Sequence, residues 1–168
     1  MRSVLAAMAL LVAAAGAAGA QDISFTVAPT QVCLAEAEGA ARFDCIGAAA
    51  EYCMSKPSGG STVGMGFCLG RELGYWDDRL NAAYAELRRV ERGVMAEAQT
   101  GNSRVPDTVR ALRDMQRAWM HFRDASCAYE FSTWGGGTGG GPANTACLLE
   151  LTGRQALQLE DRLQERRR

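Results

Sequence analysis

The chain has 168 residues, of which 18 are basic and 19 are acidic, and its formal net charge at pH 7 is -1. This near-neutral charge disfavours nucleic acid and anionic membrane surfaces as partners, because both select strongly basic proteins. The single histidine and the absence of a Cys-x-x-Cys pair disfavour a zinc site.

The first predicted element is a secretory signal peptide over residues 1–20. Arg2 is followed by an apolar run over residues 4–15 and then by a small-residue cleavage motif. The run is shorter than the roughly 20 residues that a membrane span needs. Because the first cysteine is Cys33, we expect no lipid anchor. We therefore predict a soluble protein of the periplasm or the medium, with no membrane anchor in its mature form.

Six cysteines lie in the predicted mature chain, and an even number in an exported protein indicates three disulfides. A helix is predicted over residues 41–54, which would place Cys45 and Cys53 about 12 Å apart, too far for a disulfide. Local pairs are then the most economical: Cys33–Cys45, Cys53–Cys68 and Cys127–Cys147. Other pairings of the first four cysteines stay open. Cys127 and Cys147 lie far from those four in the sequence, so their pairing with each other is the best supported.

The rest of the chain is predicted to be mostly helical. After an extended segment over residues 21–29, the patterns predict two short helices and three long ones, over residues 30–38, 41–54, 62–100, 106–131 and 146–166. The first long helix carries an apolar stripe: Leu69, Leu73, Trp76, Leu80, Ala83, Leu87, Val90 and Val94. The second carries another: Val109, Leu112, Met115, Trp119, Phe122 and Tyr129.

We therefore predict an all-α fold. Two long antiparallel helices form a hairpin, and the C-terminal helix lies beside them. Residues 21–63 form a disulfide-stapled helical cap on the helical domain of residues 64–168, in one compact unit. The glycine-rich segment over residues 132–145 is predicted to be irregular, because glycine loses much backbone entropy when it is ordered.

Two polar rows are predicted to meet between the long helices. The first contains Glu72, Trp76, Asp77, Asn81 and Tyr84, and the second contains Gln116, Trp119, Arg123 and Cys127. If the helices are antiparallel, Arg123 is placed to bridge Glu72 or Asp77. We interpret these rows as a buried polar network that sets the helix register.

No catalytic residue, cofactor site or metal site is predicted. A glycan hydrolase would need a carboxylate pair such as Glu72 with Asp77 or Asp124, but Glu72 and Asp77 diverge by roughly 140° on their helix. His121 and Cys127 also point in different directions. Gly66, Gly70 and Gly74 are predicted to let another backbone approach closely.

The glycine-rich loop is a candidate binding surface. A Cys127–Cys147 disulfide would tie its ends, and two aromatic side chains could anchor a partner. The predicted partner-binding residues are Phe131, Trp134, Gly136 and Gly140. The alternative is a flexible connection with no partner.

The motifs resemble those of the LprI-like family of exported bacterial proteins. They are C-x-x-x-E-x-x-x-W-D-x-x-L-N-x-x-Y-x-x-L at residues 68–87, Q-R-A-W-x-x-F-R-D-x-x-C at 116–127 and C-L-x-x-L-T-x-R at 147–154. The resemblance covers roughly residues 64–163. It assigns these residues to a shared scaffold: Trp76, Asp77, Asn81, Tyr84, Trp119, Arg123 and Asp124.

The resemblance implies a small helical, disulfide-bonded periplasmic domain, in a family named after a lipoprotein that inhibits lysozyme. The chain departs from that lipoprotein because it lacks a lipobox. We expect a non-enzymatic protein whose partner is another protein, with lysozyme as the first candidate. The alternative is an accessory module of the cell envelope that binds a different exported protein.

Overall fold

The computed structural model describes residues 23–100 and 105–168, so the predicted signal peptide lies outside the described residues. The described residues contain no β-strand, and the all-α prediction is confirmed. A 3₁₀ helix, Gly39–Cys45, lies between the first two of five α-helices. These are α1 (Ala28–Glu36), α2 (Ala48–Met54), α3 (Thr62–Thr100), α4 (Thr108–Ser132) and α5 (Gly140–Arg166).

The three long helices form an up-down-up bundle. The ion pairs Arg79–Glu160 and Glu91–Arg166 show that α3 and α5 run in the same direction. α4 runs the opposite way, since Gln116 contacts Gln155 near one end and Cys127 bonds to Cys147 near the other. The most extensive helix contact is between α3 and α5. The predicted hairpin of α3 and α4 is therefore present, but it is not the main packed pair.

The hydrophobic core lies between α3, α5 and the N-terminal cap. Val94 of the predicted apolar stripe of α3 is exposed, whereas five other members are buried: Leu69, Trp76, Leu80, Ala83 and Leu87. Trp76 is fully buried. α5 supplies Leu149, Ala156, Leu157 and Leu159, and the cap supplies Cys45, Ala49, Ala50 and Cys53. Burial of this apolar surface is the main contribution that stabilises the bundle.

Three disulfides cross-link the N-terminal cap and the loop between α4 and α5. They are the local pairs Cys33–Cys45, Cys53–Cys68 and Cys127–Cys147, with Cα–Cα distances of 5.5, 5.7 and 5.4 Å. The helix predicted over residues 41–54 is interrupted between the 3₁₀ helix and α2. Gly47 makes this break with φ +97°, a conformation that L side chains rarely adopt.

The predicted apolar face of α4 is partly wrong. Phe122 and Tyr129 are 60% and 72% exposed, and Met115 is also exposed. The buried side of α4 instead carries Gln116 and Cys127. The Gln116–Gln155 hydrogen bond and the disulfide fix the rotation of the helix, so the Met115, Phe122 and Tyr129 stripe turns outwards.

The predicted close approach at the glycine stripe of α3 is also wrong. A Cβ atom added at Gly66, Gly70 or Gly74 would meet nothing within 4 Å. Close contacts instead involve Gly64 of α3, where an added Cβ would clash with the Ser58 backbone carbonyl, and Gly153 of α5, where an added Cβ would lie 2.8 Å from the Ile46 side chain. Glycine therefore leaves room for the Ile46 side chain where α5 passes beneath the cap.

An ion pair links the ends of α3 and α5. Burial opposes ionisation of Glu91, but two hydrogen bonds from Arg166, at 2.7 and 2.9 Å, act together with the charges of Arg166 and Arg162 and lower the Glu91 pKa. A carboxyl group whose pKa is lower in the folded state stabilises the fold above its unfolded pKa. That contribution is lost as the pH falls through the folded pKa.

We expect the free energy of unfolding to fall with pH below the ordinary glutamate value of 4.5, and Glu91→Gln to remove part of this dependence. Urea unfolding at several pH values between about 6 and 3 measures the effect. Glu97→Gln on the exposed side of α3 is the matched control. Identical pH profiles for Glu91→Gln and the wild type would contradict the assignment.

Candidate functional site

The loop between α4 and α5 forms a compact tip, residues 127–147, at one end of the bundle. The Cys127–Cys147 disulfide joins its two sides, and the Asn144 side chain donates a 2.9 Å hydrogen bond to the Cys127 carbonyl. Gly135 and Gly136 have φ values of +56° and +85°, which glycine adopts without strain. The irregular segment is shorter than predicted, because α5 begins at Gly140 rather than at residue 146.

Two aromatic side chains pack against the backbone of this tip. Phe131 and Trp134 are 52% and 48% exposed. An added Cβ at Gly139 would lie 2.3 Å from the Trp134 indole, and one at Gly140 would lie 3.3 Å from the Phe131 ring. The glycines therefore let both rings approach the backbone closely. Gly140 is itself buried, so it supports the aromatic surface rather than contributing to it.

Charge is distributed unevenly along the bundle. The half that carries the cap and the tip, residues 28–85 and 118–161, has 12 acidic and 6 basic residues, a net charge of -6. The other half, residues 86–100, 105–117 and 162–168, has 6 acidic and 10 basic residues, a net charge of +4. The tip is therefore at the anionic end, although the whole chain is nearly neutral.

Glu72 does not join the predicted network with Arg123. Its fully buried carboxylate faces the cap and accepts hydrogen bonds from Thr30 Oγ1 (2.7 Å) and Trp76 Nε1 (3.1 Å). The backbone N–H groups of Gly47 and Ala50 also donate to it, at 2.9 and 2.6 Å. The carboxylate thus satisfies donors at the start of α2, a structural role that leaves it no access to a substrate.

Arg123 pairs with its neighbour Asp124, at 2.7 Å, instead of bridging Glu72 or Asp77. The Asp77 carboxylate accepts a 3.0 Å hydrogen bond from Asn81. Asp124 is 61% exposed at its side chain and lies outside the space between the helices. The prediction of one buried network is therefore wrong. Glu72 and Trp76 bond to each other in the core beside the cap, Cys127 is in a disulfide, and the other residues of the two rows face a groove.

That groove lies between α3 and α4 and has a volume of about 510 Å³. It brings together most of the two polar rows: Asp77, Asn81 and Tyr84 from α3, and Gln116, Trp119 and Arg123 from α4. The antiparallel arrangement accounts for this meeting, as the sequence predicted. We name this feature the α3/α4 groove.

The α3/α4 groove is also lined by three arginines that the sequence motifs did not predict: Arg88, Arg113 and Arg117. Arg88 stacks over Tyr84 and Arg123 stacks over Trp119, with centroid distances of 5.6 and 5.1 Å. The Arg88 Nε atom is buried and has no hydrogen-bond partner among the described residues. The i, i+4 spacing of Tyr84 and Arg88 was the available sequence signal for this pair.

The described residues show no group of three or more His, Cys, Asp or Glu side chains placed to hold a metal ion. In the same residues, no helix has the length and apolar character needed to cross a bilayer.

A family model described as lysozyme inhibitor LprI matches residues 53–159 of the chain. The chain is also 30% identical over 92 residues to an uncharacterised protein of Rhizobium meliloti (strain 1021). That match covers 51% of this chain and 66% of the relative, just under two thirds of its length. No solved structure is significantly similar to the chain.

Proposed function

The chain belongs to the LprI family, whose model matches more than half of it, and from this we propose that it is an exported, non-enzymatic protein that binds and inhibits a lysozyme. Export is supported by the predicted signal peptide and by the three disulfides, since such bonds persist in oxidising compartments. The family description supplies the class of partner.

The observation that carries the proposal is the geometry of the tip. Phe131 and Trp134 are both about half exposed and rest on glycine backbone inside a loop closed by a disulfide. Aromatic side chains are frequent anchors of protein interfaces, and a rigid loop loses little entropy on binding. Gly136 lies on the exposed side of the same loop. We assign the partner contact to Phe131, Trp134 and Gly136.

The charge distribution along the bundle also supports the tip as the contact surface. The half of the bundle that carries the tip has a net charge of -6, whereas the opposite half has +4. Many lysozymes are cationic, so the anionic half would face an approaching lysozyme and raise the association rate. The uneven charge favours the tip over the opposite end as the contact surface.

We expect Trp134→Ala to weaken binding to a lysozyme by more than tenfold, because truncating an anchor residue of an interface typically costs over ~1–2 kcal/mol. Oxidised protein lacking residues 1–20 would be titrated calorimetrically against c-type, g-type and i-type lysozymes, and bacteriolytic activity would be followed in parallel. Tyr52→Ala is the matched control, since Tyr52 is an equally exposed aromatic residue of the cap.

Binding with loss of lysis that depends on Trp134 and not on Tyr52 would support both the partner and the surface. Equal loss in the two variants would contradict the assignment of the tip. Absence of binding to all three lysozyme types would contradict lysozyme as the partner and favour the cell-envelope module alternative.

A further inference from the structure

We propose that the α3/α4 groove is a second binding site, separate from the tip, and that it takes a glycan bearing carboxylate groups. The groove is open to solvent along one side of the bundle and is lined mainly by polar and charged side chains. Asp77 lies near one end and Arg88 near the other. These residues are 11 positions apart on α3, which corresponds to about 16 Å. The groove thus has the length of a short oligosaccharide.

The end of the groove nearest Arg88 is built to bind an anionic group. Arg88, Arg113 and Arg117 line it. Arg88 and Arg117 have no ion-pair partner among the described residues, and Arg113 pairs only with the exposed Asp114. Stacking on Tyr84 holds the Arg88 guanidinium in place, and its buried Nε atom has no acceptor in the described part of the chain. Arginine forks of this kind bind carboxylates through paired hydrogen bonds.

The opposite end of the groove presents acceptors, and Arg123 at this end is already paired with Asp124 at 2.7 Å. Asn81 Nδ2 donates to Asp77 Oδ2, which leaves Asn81 Oδ1 and Asp77 Oδ1 to accept from a ligand. Hydroxyl and amide groups of a sugar are suitable donors for these oxygen atoms. Tyr84 lies between the two ends and adds a further polar group.

The position of Asp77, at the end away from Arg88, Arg113 and Arg117, favours a glycan over an acidic protein segment. A chain of Asp and Glu side chains would place a carboxylate beside Asp77, where like charges repel. A carboxylated glycan can place its carboxylate among the arginines and its hydroxyl groups at Asp77 and Asn81. Replacing Asp77 should therefore weaken the binding of a carboxylated glycan but strengthen the binding of an acidic protein segment.

The test uses oxidised protein lacking residues 1–20 and soluble peptidoglycan glycan strands, which carry carboxyl groups. The same strands with amidated carboxyl groups are the matched ligand, and poly-L-glutamate represents an acidic protein. We expect Arg117→Gln to weaken binding of the strands about tenfold, the effect of losing a charged hydrogen bond. Asp77→Asn should also weaken it, whereas Arg110→Gln, an exposed arginine outside the groove, should leave it unchanged.

Loss of binding on amidation, together with weaker binding of Arg117→Gln and Asp77→Asn, would support the glycan site. Stronger binding of Asp77→Asn, or equal affinity for poly-L-glutamate, would overturn it in favour of an acidic protein ligand. No binding of the strands to the wild-type protein would also overturn it. These measurements contain no lysozyme, so their outcome is independent of the proposed function of the tip.

Discussion

Replacing Glu72 by glutamine is expected to lower the free energy of unfolding by about 3 kcal/mol, because a buried carboxylate with four donors loses its charge-assisted hydrogen bonds. Glutamine has nearly the same shape, so the change leaves little cavity. Its amide group can accept where Oε1 accepts from Thr30, Gly47 and Trp76. Its NH₂ group would then face the Ala50 N–H, which donates to Oε2 in the wild type.

Urea unfolding followed by circular dichroism measures this loss. Glu97→Gln, an isosteric change at an exposed position of the same helix, should alter the stability by no more than about 0.5 kcal/mol. Amide hydrogen exchange adds a local readout, since the N–H groups of Ala49 and Ala50 should exchange faster when the start of α2 loosens. A loss below about 1 kcal/mol for Glu72→Gln would show that the carboxylate is not needed to hold the cap.

Trp76→Ala is expected to cost about 3–5 kcal/mol, the usual range for a large aromatic side chain removed from a core. Trp76 is fully buried and donates its indole N–H to Glu72. Trp119→Ala should cost clearly less, about 1–2 kcal/mol, because Trp119 is only partly buried at the wall of the α3/α4 groove.

The same substitution at two tryptophans keeps the chemical change constant, and the two sites differ in burial and in the hydrogen bond from Trp76 to Glu72. Urea unfolding of both variants, with the slopes compared to detect changes in the unfolded state, measures the difference. Equal losses would mean that α4 is packed as deeply as α3. A larger loss at Trp119 would contradict the arrangement in which α5 rather than α4 is the main partner of α3.

Long-range periodicity was enough to predict that the three long helices exist. The bounds of α3 follow from an apolar stripe of more than seven turns and from the breakers on either side, and they agree with the structure. The antiparallel meeting of the two polar rows also followed from spacing, and Asp77, Asn81, Gln116 and Arg123 do line one groove. The three disulfides of the structure join cysteines that are near in sequence. Local patterns are informative here because each depends on neighbours within a few turns.

The partners of individual side chains were not predictable in this way. Glu72 lies one turn before Trp76 on α3, yet its hydrogen bonds come mostly from the cap, 22 to 42 positions away in sequence. Periodicity placed Phe122 and Tyr129 on an apolar face, but it could not show that α4 would be rotated by the Gln116–Gln155 bond and the disulfide. The sequence alone determined the helical class, the length of α3 and the disulfide-bonded character of the chain. Only the tertiary structure decided which face of each helix is buried and which charges share a surface, because those depend on contacts between segments far apart in the chain.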